Sequence, residues 1–373
     1  MNIGEIRELF PVVKRWVYFN HIIGSPVNTK VADAINEALE DMKNNGMLHY
    51  TEWIKKVEEL RENVALLLNA SKDNIAIINN YIQGLGIVSN GYDWKEEDTV
   101  ILSNVEYESL VYNWLNLASK GVIVKFVSSK EDKVSIEDII KAIDSNTRVV
   151  ILSHVQFING YRVSFEELSR YCRDKGILLI AECTHSLGAF EFDVKREGVD
   201  VVIASGNKWL MGPEGCGIMY LSDRAMEKLP ATTIGWRIAD FGEDSSNYPI
   251  KFYESARKYE PSGISITGVY GLNAAIKLIL EIGIKNIESR LLDLSVYLTN
   301  RLSEKKYELY SDTDKNKISG IVSFYSKIIQ SKDIRSKLFK HNIAIAEKRN
   351  YAIVSLHFYN TEEEIDRMIS VLE

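Results

Sequence analysis

The sequence predicts an α/β protein: a three-layer αβα domain around a mostly parallel sheet, followed by a smaller α+β domain. Short runs rich in β-branched residues recur in the first part of the chain, and amphipathic helical patterns lie between them. Continuous apolar strands are typical of a parallel sheet that helices bury on both faces. The runs are "AIIN" (76–79), "TVILS" (99–103), "VIVKFV" (122–127), "RVVILSHV" (148–155), "ILLIAEC" (177–183), "DVVIAS" (200–205) and "GIMYLS" (217–222).

The helical segments show where the chain changes character. "SFEELSRYCRDKG" (164–176) puts apolar residues on one stripe and ends at a glycine. After about residue 260, two long amphipathic segments (267–282 and 285–304) precede "ISGIVSFYS" (318–326) and "YAIVSLHFY" (351–359), which indicates a separate α+β unit. We therefore predict an N-terminal segment packed with the small domain (1–16), a large domain (17–260) and a small C-terminal domain (261–373).

Composition excludes several classes of protein. The net charge of -7 argues against nucleic acid or an anionic membrane as the main partner. Three cysteines without a C-x-x-C pair or a His/Cys cluster predict neither a disulfide framework nor a metal site. The first residues read as no signal peptide, and no apolar run is long enough for a membrane span. The default expectation is a cytoplasmic protein.

Lys208 has unusual neighbours in the sequence. In "ASGNKWLMGPEGCG" (204–217), Lys208 lies between a buried strand and a glycine-rich loop. A lysine amine becomes a useful nucleophile when burial or neighbouring cations lower its pKa. From this stretch alone, a lysine that extends from a strand end into solvent is an equal alternative.

A second stretch favours the functional interpretation. "LLIAECTHSLGAFEFDV" (178–194) ends a buried strand with Glu182 and continues through His185. Ligands of open α/β sheets bind beyond the carboxyl ends of the strands. Glu182 and Lys208 are 26 residues apart, the length of one helix and one strand, so both are predicted to face one crevice. A buried acid needs a cationic partner, and a protonated ring nitrogen would provide one.

Two further stretches lie at strand ends. "NNYIQGLGIVSNG" (79–91) opens a helix, whose free amides can form a phosphate cradle, although such a stretch is more often a plain strand-to-helix turn. Its glycine spacing breaks at Ser89, so a dinucleotide fingerprint is not predicted. Tyr107, just past "TVILS", is either a core aromatic or a residue that stacks on a planar ring.

A lysine, an acid, a phosphate cradle and a ring-stacking aromatic are what pyridoxal phosphate needs. From "WVYFNHIIGSPV" (16–27) to "SLHFYNTEEEID" (355–366) the chain resembles the class V aminotransferases. These are fold-type I pyridoxal-phosphate enzymes, a group that also contains cysteine desulfurases, kynureninases and isopenicillin-epimerase-like proteins. The resemblance is most specific in "LSHVQFINGYRVSFEELSRYCRDKGILLIAECTHSLGAFEFDV" (152–194) and "DVVIASGNKWLMGPEGCGIMYLS" (200–222).

The resemblance implies a role for each matching residue. Lys208 looks like the Schiff-base lysine and Glu182 like the acid on the pyridine nitrogen, where the family has aspartate. The other residues implied for the cofactor are Tyr107 (ring stacking), His185 (near the 3-oxygen), Ser205, Asn207 and the amides of Ile82 and Gln83 (around the phosphate), and Ser262 (phosphate contact across a dimer interface).

Two departures from the family pattern concern the substrate. Relatives with the "HFYNT" ending carry an arginine for the substrate carboxylate where this chain has Ile353. Arg349 or Arg237 is expected to replace it, unless the substrate is no ordinary α-amino acid, and Asn20 is a third substrate candidate. The chain also has no cysteine after Cys216, which disfavours a desulfurase mechanism with a reactive C-terminal thiol.

We therefore predict a pyridoxal-phosphate-dependent aminotransferase-like enzyme, acting at Cα of an amine or amino acid. A lyase or epimerase on the same fold is the alternative, and a catalytically degenerate binding protein is the remote one. The family also implies a homodimer, since its active sites lie at the subunit interface.

Overall fold

The structure, a computed structural model, describes residues 2–239 and 251–372; Met1, residues 240–250 and Glu373 lie outside the described residues. The helices are α1 (Ile3–Glu8), α2 (Thr29–Asn45), α3 (Tyr50–Leu68), α4 (Tyr81–Gly91), α5 (Glu108–Leu115), α6 (Ile136–Ala142), α7 (Glu166–Asp174), α8 (Val194–Glu197), α9 (Asp223–Lys228), α10 (Ile266–Ile282), α11 (Ile284–Glu304), α12 (Ser331–Lys340) and α13 (Glu362–Leu372). The strands are β1 (Val17–Tyr18), β2 (Ile75–Ile78), β3 (Thr99–Ser103), β4 (Ile123–Val127), β5 (Thr147–Ser153), β6 (Leu178–Glu182), β7 (Val201–Ser205), β8 (Gly217–Leu221), β9 (Glu308–Leu309), β10 (Ile321–Tyr325), β11 (Ile343–Ala344), β12 (Ala346–Lys348) and β13 (Tyr351–Ser355).

The large sheet has seven strands in the order β2-β8-β7-β6-β5-β3-β4. The pairs β4–β3, β3–β5, β5–β6 and β6–β7 are parallel, whereas β8 runs antiparallel to both of its neighbours. The α/β class with a mostly parallel sheet, predicted from the sequence, is confirmed.

The central strands are apolar throughout because helices cover both of their faces. Along β5, Val150 and Leu152 join one buried cluster, while Val149 and Ile151 join another on the opposite face. β6 alternates in the same way, and all five of its residues are buried. A strand buried on both faces is one layer of an αβα sandwich, so the predicted three layers are confirmed.

The C-terminal part forms a four-stranded antiparallel sheet in the order β12-β13-β10-β9. α11, α12 and α13 pack on it around a separate apolar cluster, which Phe19 of the N-terminal segment joins. Nearby, Arg7 donates to Glu364 at 2.8 Å and Phe10 stacks on Tyr359.

The helix α10 packs with the large domain instead. It contacts α2 and α3, and its apolar residues, such as Val269 and Leu272, belong to the large-domain cluster. Residues 266–282 thus differ from the predicted small-domain assignment because the apolar face of α10 has its partners in α2 and α3. The predicted limits at residues 16 and 260 stay predictions.

Helix length and hydropathy show no single helix among the described residues that could cross a membrane. The pair α10 and α11 passes such a test only jointly, across a bend of 81°.

One glycine holds the loop after β6 against the loop after β7. Gly188 has φ 92°, a conformation that favours glycine. A Cβ atom here would lie 2.5 Å from the carbonyl oxygen of Trp209, the residue next to Lys208. This contact brings the loops that follow Glu182 and Lys208 close together.

Candidate active site

The carboxyl ends of the parallel strands open into a cavity of about 610 Å³. Seven of the twelve residues predicted for the site line it: Ile82, Tyr107, Glu182, His185, Ser205, Asn207 and Lys208. Its lining also includes residues of the small domain, among them Lys348 and Ile353. The cavity is therefore built where the two domains meet, at the sheet edge where α/β proteins bind ligands.

Lys208 is half-buried, and its Nζ atom donates a hydrogen bond to the carbonyl oxygen of Ile23. Burial lowers the pKa of this amine, and the carboxylates of Glu214 and Glu182 oppose that effect. A larger share of the amine is therefore neutral near pH 7 than for a solvated lysine, and the neutral form is the nucleophile.

Glu182 ends β6, and its side chain is 5% exposed. Its Oε1 atom accepts the amide of Thr184 at 2.8 Å, and its Oε2 atom lies 3.4 Å from the Ser153 hydroxyl. Burial raises the pKa of Glu182 to about 7, although the Thr184 hydrogen bonds lower it. No lysine or arginine forms an ion pair with Glu182 within residues 2–239 and 251–372, so a cationic ligand in the cavity would stabilise its charged form.

His185 is neutral. Burial, together with the charge of Lys208, lowers its pKa to about 3. Its Nδ1 atom is buried and finds no hydrogen-bond partner among the residues that the structure describes. Its ring stands edge-on to Trp209 at 5.5 Å. A buried ring nitrogen without a partner is what a polar ligand atom in the cavity would satisfy.

The start of α4, predicted as a phosphate cradle, lies at the cavity, and its role in binding a phosphate stays a prediction. Asn80 caps α4, and its Oδ1 atom accepts the amide of Gln83 at 3.1 Å. Gln83 also accepts the Asn79 amide at 2.8 Å, and Gln83 does not line the cavity. The capping side chain therefore already holds the Gln83 amide, whereas Ile82 lines the cavity and the Tyr81 amide donates to the Ser205 hydroxyl at 3.2 Å.

Tyr107 and Asn207 lie at two sides of the cavity. Tyr107 directly precedes α5, is 37% exposed and stands edge-on to Phe157 at 5.0 Å. Asn207 donates to Glu214 on the glycine-rich loop at 3.2 Å. Both side chains keep a surface toward the cavity.

Arg237, predicted as a substrate candidate, does not line the cavity, and its role stays a prediction. Its side chain is 6% exposed, and its guanidinium group lies 3.8 Å from the carboxylate of Glu260. Glu260 is buried and pairs with Arg61 at 2.6 Å. Arg237 is held in this buried charge cluster because an isolated charge is strongly disfavoured inside a protein.

The other two substrate candidates also fail to line the cavity. Asn20 forms a β-bridge with Ser355. Arg349 lies exposed in the turn between β12 and β13 with φ 52°, and its guanidinium is 6.0 Å from the Phe157 ring. Ser262 is exposed, and its predicted contact across a dimer interface stays a prediction.

Lys348 is the lining cation that the sequence interpretation missed. Its Nζ atom donates to Glu108 at 3.0 Å and lies 4.9 Å from the Tyr107 ring. It also lies 5.5 Å from the ring of Phe157. Lys348 thus reaches from the small domain to the large one, and Ile353 lines the same cavity. No local pattern identifies Lys348, because its partner Glu108 is 240 residues away.

A lowered-pKa amine and a buried acid in one strand-end cavity define an α/β enzyme site. The chain belongs to the aminotransferase class-V family, whose family model matches residues 17–368. The resemblance seen in the sequence is thereby confirmed.

Comparisons with individual proteins give the same family and fold. A probable cysteine desulfurase of Methanothermobacter thermautotrophicus is 29% identical, over 100% of this chain and 98% of its own. The apo structure of a cysteine desulfurase from Thermococcus onnurineus NA1 matches with a TM-score of 0.91 and 25% identity, covering 99% of this chain and 97% of that one. A C-DES mutant with glycine covalently linked to its PLP cofactor matches in fold, with a TM-score of 0.92 and 22% identity over 98% of both chains.

Proposed function

We propose that this chain, a pyridoxal-phosphate-dependent enzyme of the aminotransferase class-V family, transfers the amino group of a small amino acid, with Lys208 as the residue that binds the cofactor covalently. One observation carries the proposal. The amine of Lys208, whose pKa is lowered, and the buried acid Glu182 line one cavity.

The residues present fit the cofactor. Glu182 is a buried acid that a protonated ring nitrogen would stabilise, and the unpartnered Nδ1 of His185 offers a contact for a polar ring substituent. Tyr107 supplies an aromatic face, and the start of α4 with Ser205 and Asn207 supplies donors for a phosphate. When bound, pyridoxal phosphate supplies a cationic ring that withdraws electrons from the substrate Cα.

The protein's own groups then have distinct tasks. Lys208 is positioned to take the proton from the substrate Cα and return it, and its lowered pKa favours the neutral, basic form. Glu182 would hold the ring nitrogen of the cofactor in its protonated, cationic form. The small domain closes one side of the cavity, which keeps water from the reacting atoms.

We further propose that Lys348 binds the substrate carboxylate. Ile353 cannot bind an anion, Arg237 is committed to Glu260, and Arg349 is exposed outside the cavity. Lys348 lines the cavity beside Tyr107, and its present partner, Glu108, is half-exposed and can be solvated when a substrate carboxylate takes its place.

Replacing Lys348 with alanine is expected to raise KM for amino acids by about tenfold to a hundredfold, the value of a hydrogen bond to a charged group. An amine without a carboxylate should be affected little. Steady-state kinetics on both substrates check this. Lys327→Ala is the matched control because Lys327 forms a comparable exposed pair with Glu308 at 2.9 Å in the small domain. Equal KM changes for the amine and the amino acid would contradict the assignment.

A second candidate function is a lyase reaction, and the relatives named as cysteine desulfurases favour it. A mechanism with a protein thiol has little support here. The three cysteines are all buried, and burial raises the pKa of Cys216, the one cysteine among the cavity residues, to about 12. An elimination that needs no protein thiol stays compatible with the site.

A single-turnover experiment decides between the two. The cofactor-loaded protein is mixed with each member of a panel of amines and amino acids. Amino transfer predicts pyridoxamine phosphate in an amount equal to the protein, together with one oxo product. Elimination predicts the released Cβ substituent together with ammonia and an oxo acid, while the cofactor returns to its starting form. Protein that stays colourless with excess cofactor would favour the degenerate alternative.

We also propose a homodimer in the cytoplasm. Ile23, next to the cavity, is 62% exposed, and Met47, Leu48 and Trp236 are 66%, 85% and 57% exposed. Contiguous exposed apolar patches mark protein interfaces, and the Trp236 ring lies 6.4 Å from the ring of Tyr50, two residues after Leu48. The three unpaired cysteines are consistent with a reducing compartment. Sedimentation velocity of the purified chain checks the subunit number.

A further inference from the structure

A second buried carboxyl group lies behind Glu182. Glu106, between β3 and α5, is 5% exposed, as Glu182 is. β5 is the neighbour of both β3 and β6 in the sheet, and its last residue is Ser153. The Ser153 hydroxyl oxygen lies 2.5 Å from Glu106 Oε2 and 3.4 Å from Glu182 Oε2. One hydroxyl group thus bridges two buried acids.

The two oxygens of Glu106 have different surroundings. Oε1 accepts two N–H groups, the amide of Ser153 at 3.1 Å and the Nε2 of Gln156 at 2.8 Å. Oε2 meets the Ser153 hydroxyl. No cationic side chain contacts Glu106 within the described parts of the chain. Since both N–H donors are on Oε1, a proton on this carboxyl group would lie on Oε2, with Oε1 as the carbonyl oxygen.

The number of protons on Glu106, Ser153 and Glu182 determines which hydrogen bonds this bridge can form. The Ser153 hydroxyl carries one proton and can donate to one carboxyl group only. If both acids were ionised, one of them would lose its donor. If Glu106 is protonated, its Oε2–H donates to Ser153 Oγ, and the Ser153 hydroxyl donates to Glu182. A single proton on the pair therefore completes every hydrogen bond of the chain of three groups.

We propose that Glu106 is a positioning residue for Glu182: when the two carboxyl groups carry a single proton between them, Glu106 holds it, and the Ser153 hydroxyl donates to the Glu182 anion. The catalytic meaning of this pair rests on the proposed function, in which Glu182 faces the cofactor. The shared proton itself is a property of the chain and is testable without cofactor.

The charges around the pair agree with this assignment. Besides Glu106, three titratable groups among the described residues interact electrostatically with Glu182. They are Lys208 after β7, Tyr81 at the start of α4, and Cys183, which follows Glu182 in the chain. Lys208 is the cation among these groups, and its charge interacts with Glu182, so it favours the anion on Glu182. Burial raises the pKa of both acids, and an ionised Glu106 would raise the pKa of Glu182 further, a repulsion that a proton on Glu106 removes.

Two variants should move Glu182 in opposite directions. Glu106→Gln keeps the acceptor for Ser153 and Gln156 and supplies a fixed N–H donor to the Ser153 hydroxyl, so the pKa of Glu182 should fall by roughly one pH unit. Ser153→Ala removes the donor to Glu182, so this pKa should rise by a similar amount. A role in packing alone would not produce shifts of opposite sign.

The measurement is carbon-13 NMR of full-length, cofactor-free protein that carries glutamate labelled at the side-chain carboxyl. Glu182→Gln identifies the Glu182 signal. Ser186→Ala is the control, because Ser186 is equally buried but donates to the backbone oxygen of Cys183 at 3.3 Å. An unchanged Glu182 titration in both Glu106→Gln and Ser153→Ala would overturn the proposal.

One variant can fail to fold, and a double variant gives an additional test. If Glu106→Gln fails to fold, Ser153→Ala decides alone: a raised pKa of Glu182 supports the shared proton, and an unchanged one refutes it. The Ser153→Ala, Glu106→Gln double variant measures how much of the coupling passes through the hydroxyl. Because these titrations contain no cofactor, they keep their meaning even if the proposed function of the site is wrong.

Discussion

Lys208→Ala is expected to lose the covalent link to the cofactor and to lower turnover by about a thousandfold or more. The change removes the amine that forms the link and also the base that moves the Cα proton. Borohydride reduction with pyridoxal phosphate, followed by intact-mass measurement, should show one added cofactor on the wild-type chain and none on the variant. Turnover of the best substrate by the wild type and the variant checks the predicted loss of activity.

Lys228→Ala is a closely matched control for this experiment. Lys228, like Lys208, has a pKa lowered by burial and donates to a backbone carbonyl oxygen, that of Gly176 at 2.6 Å. It lies in α9, outside the cavity. The Lys228→Ala chain should keep both the added mass and the turnover. A cofactor adduct that persists in Lys208→Ala but disappears in Lys228→Ala would reject the assignment of Lys208.

This control also shows what identifies the site. Burial lowers the pKa of Lys208, Lys228 and Lys258, so a lowered pKa does not by itself select the functional amine. Among these three residues, Lys208 alone lines the strand-end cavity together with a buried acid. The position of Lys208 after β7, at the carboxyl edge of the sheet, carries the assignment, and its electrostatics support it.

The sequence predicts the large sheet well because its central strands are buried on both faces and are therefore mostly apolar. The run "AIIN" (76–79) becomes β2, shifted by one residue, and "TVILS" (99–103) coincides with β3. β1 escapes such reasoning because it is two residues long and pairs with Ile343–Ala344 at the other end of the chain. α10 (Ile266–Ile282) begins within one residue of the predicted segment 267–282, but its packing partners are fixed only by tertiary structure.

The candidate site divides in the same way. Residues placed directly after strands, such as Lys208, Glu182 and Tyr107, are predictable because parallel strands end at a common edge. Lys348 and the Glu106–Ser153 bridge are not, since each contact joins segments that are distant in sequence. The pairing of Arg237 with Glu260 likewise depends on the fold, and no local pattern indicates it.

Glu182→Gln is expected to keep the cofactor bound but to lower turnover by about a hundredfold, the value of one preorganised electrostatic contact in an active site. Glutamine preserves the size of the side chain and the acceptor for the Thr184 amide, but an uncharged group cannot stabilise a protonated ring nitrogen. Cofactor content and turnover, measured on one preparation, check both parts. Unchanged turnover would show that Glu182 has a structural role only.

The same substitution should change how the stability of the cofactor-free protein depends on pH. In the folded chain the pKa of Glu182 is raised from 4.5 to about 7, so the native state holds a proton that the unfolded chain releases at lower pH. The free energy of unfolding of the wild type therefore falls as pH rises through this window, by about 3 kcal/mol in total. Urea unfolding at pH 4.5 and pH 8 should show that Glu182→Gln loses less stability.

Glu227→Gln, on the exposed surface of α9, is the control and should follow the wild type at both pH values. Parallel pH curves for Glu182→Gln and the wild type would mean that Glu182 already ionises freely in the empty site. A bound cation would then contribute little there. If the pH curves of the wild type and Glu182→Gln instead diverge without cofactor and coincide with it, the ionised Glu182 destabilises the empty protein. The positive charge of the bound cofactor then removes this cost.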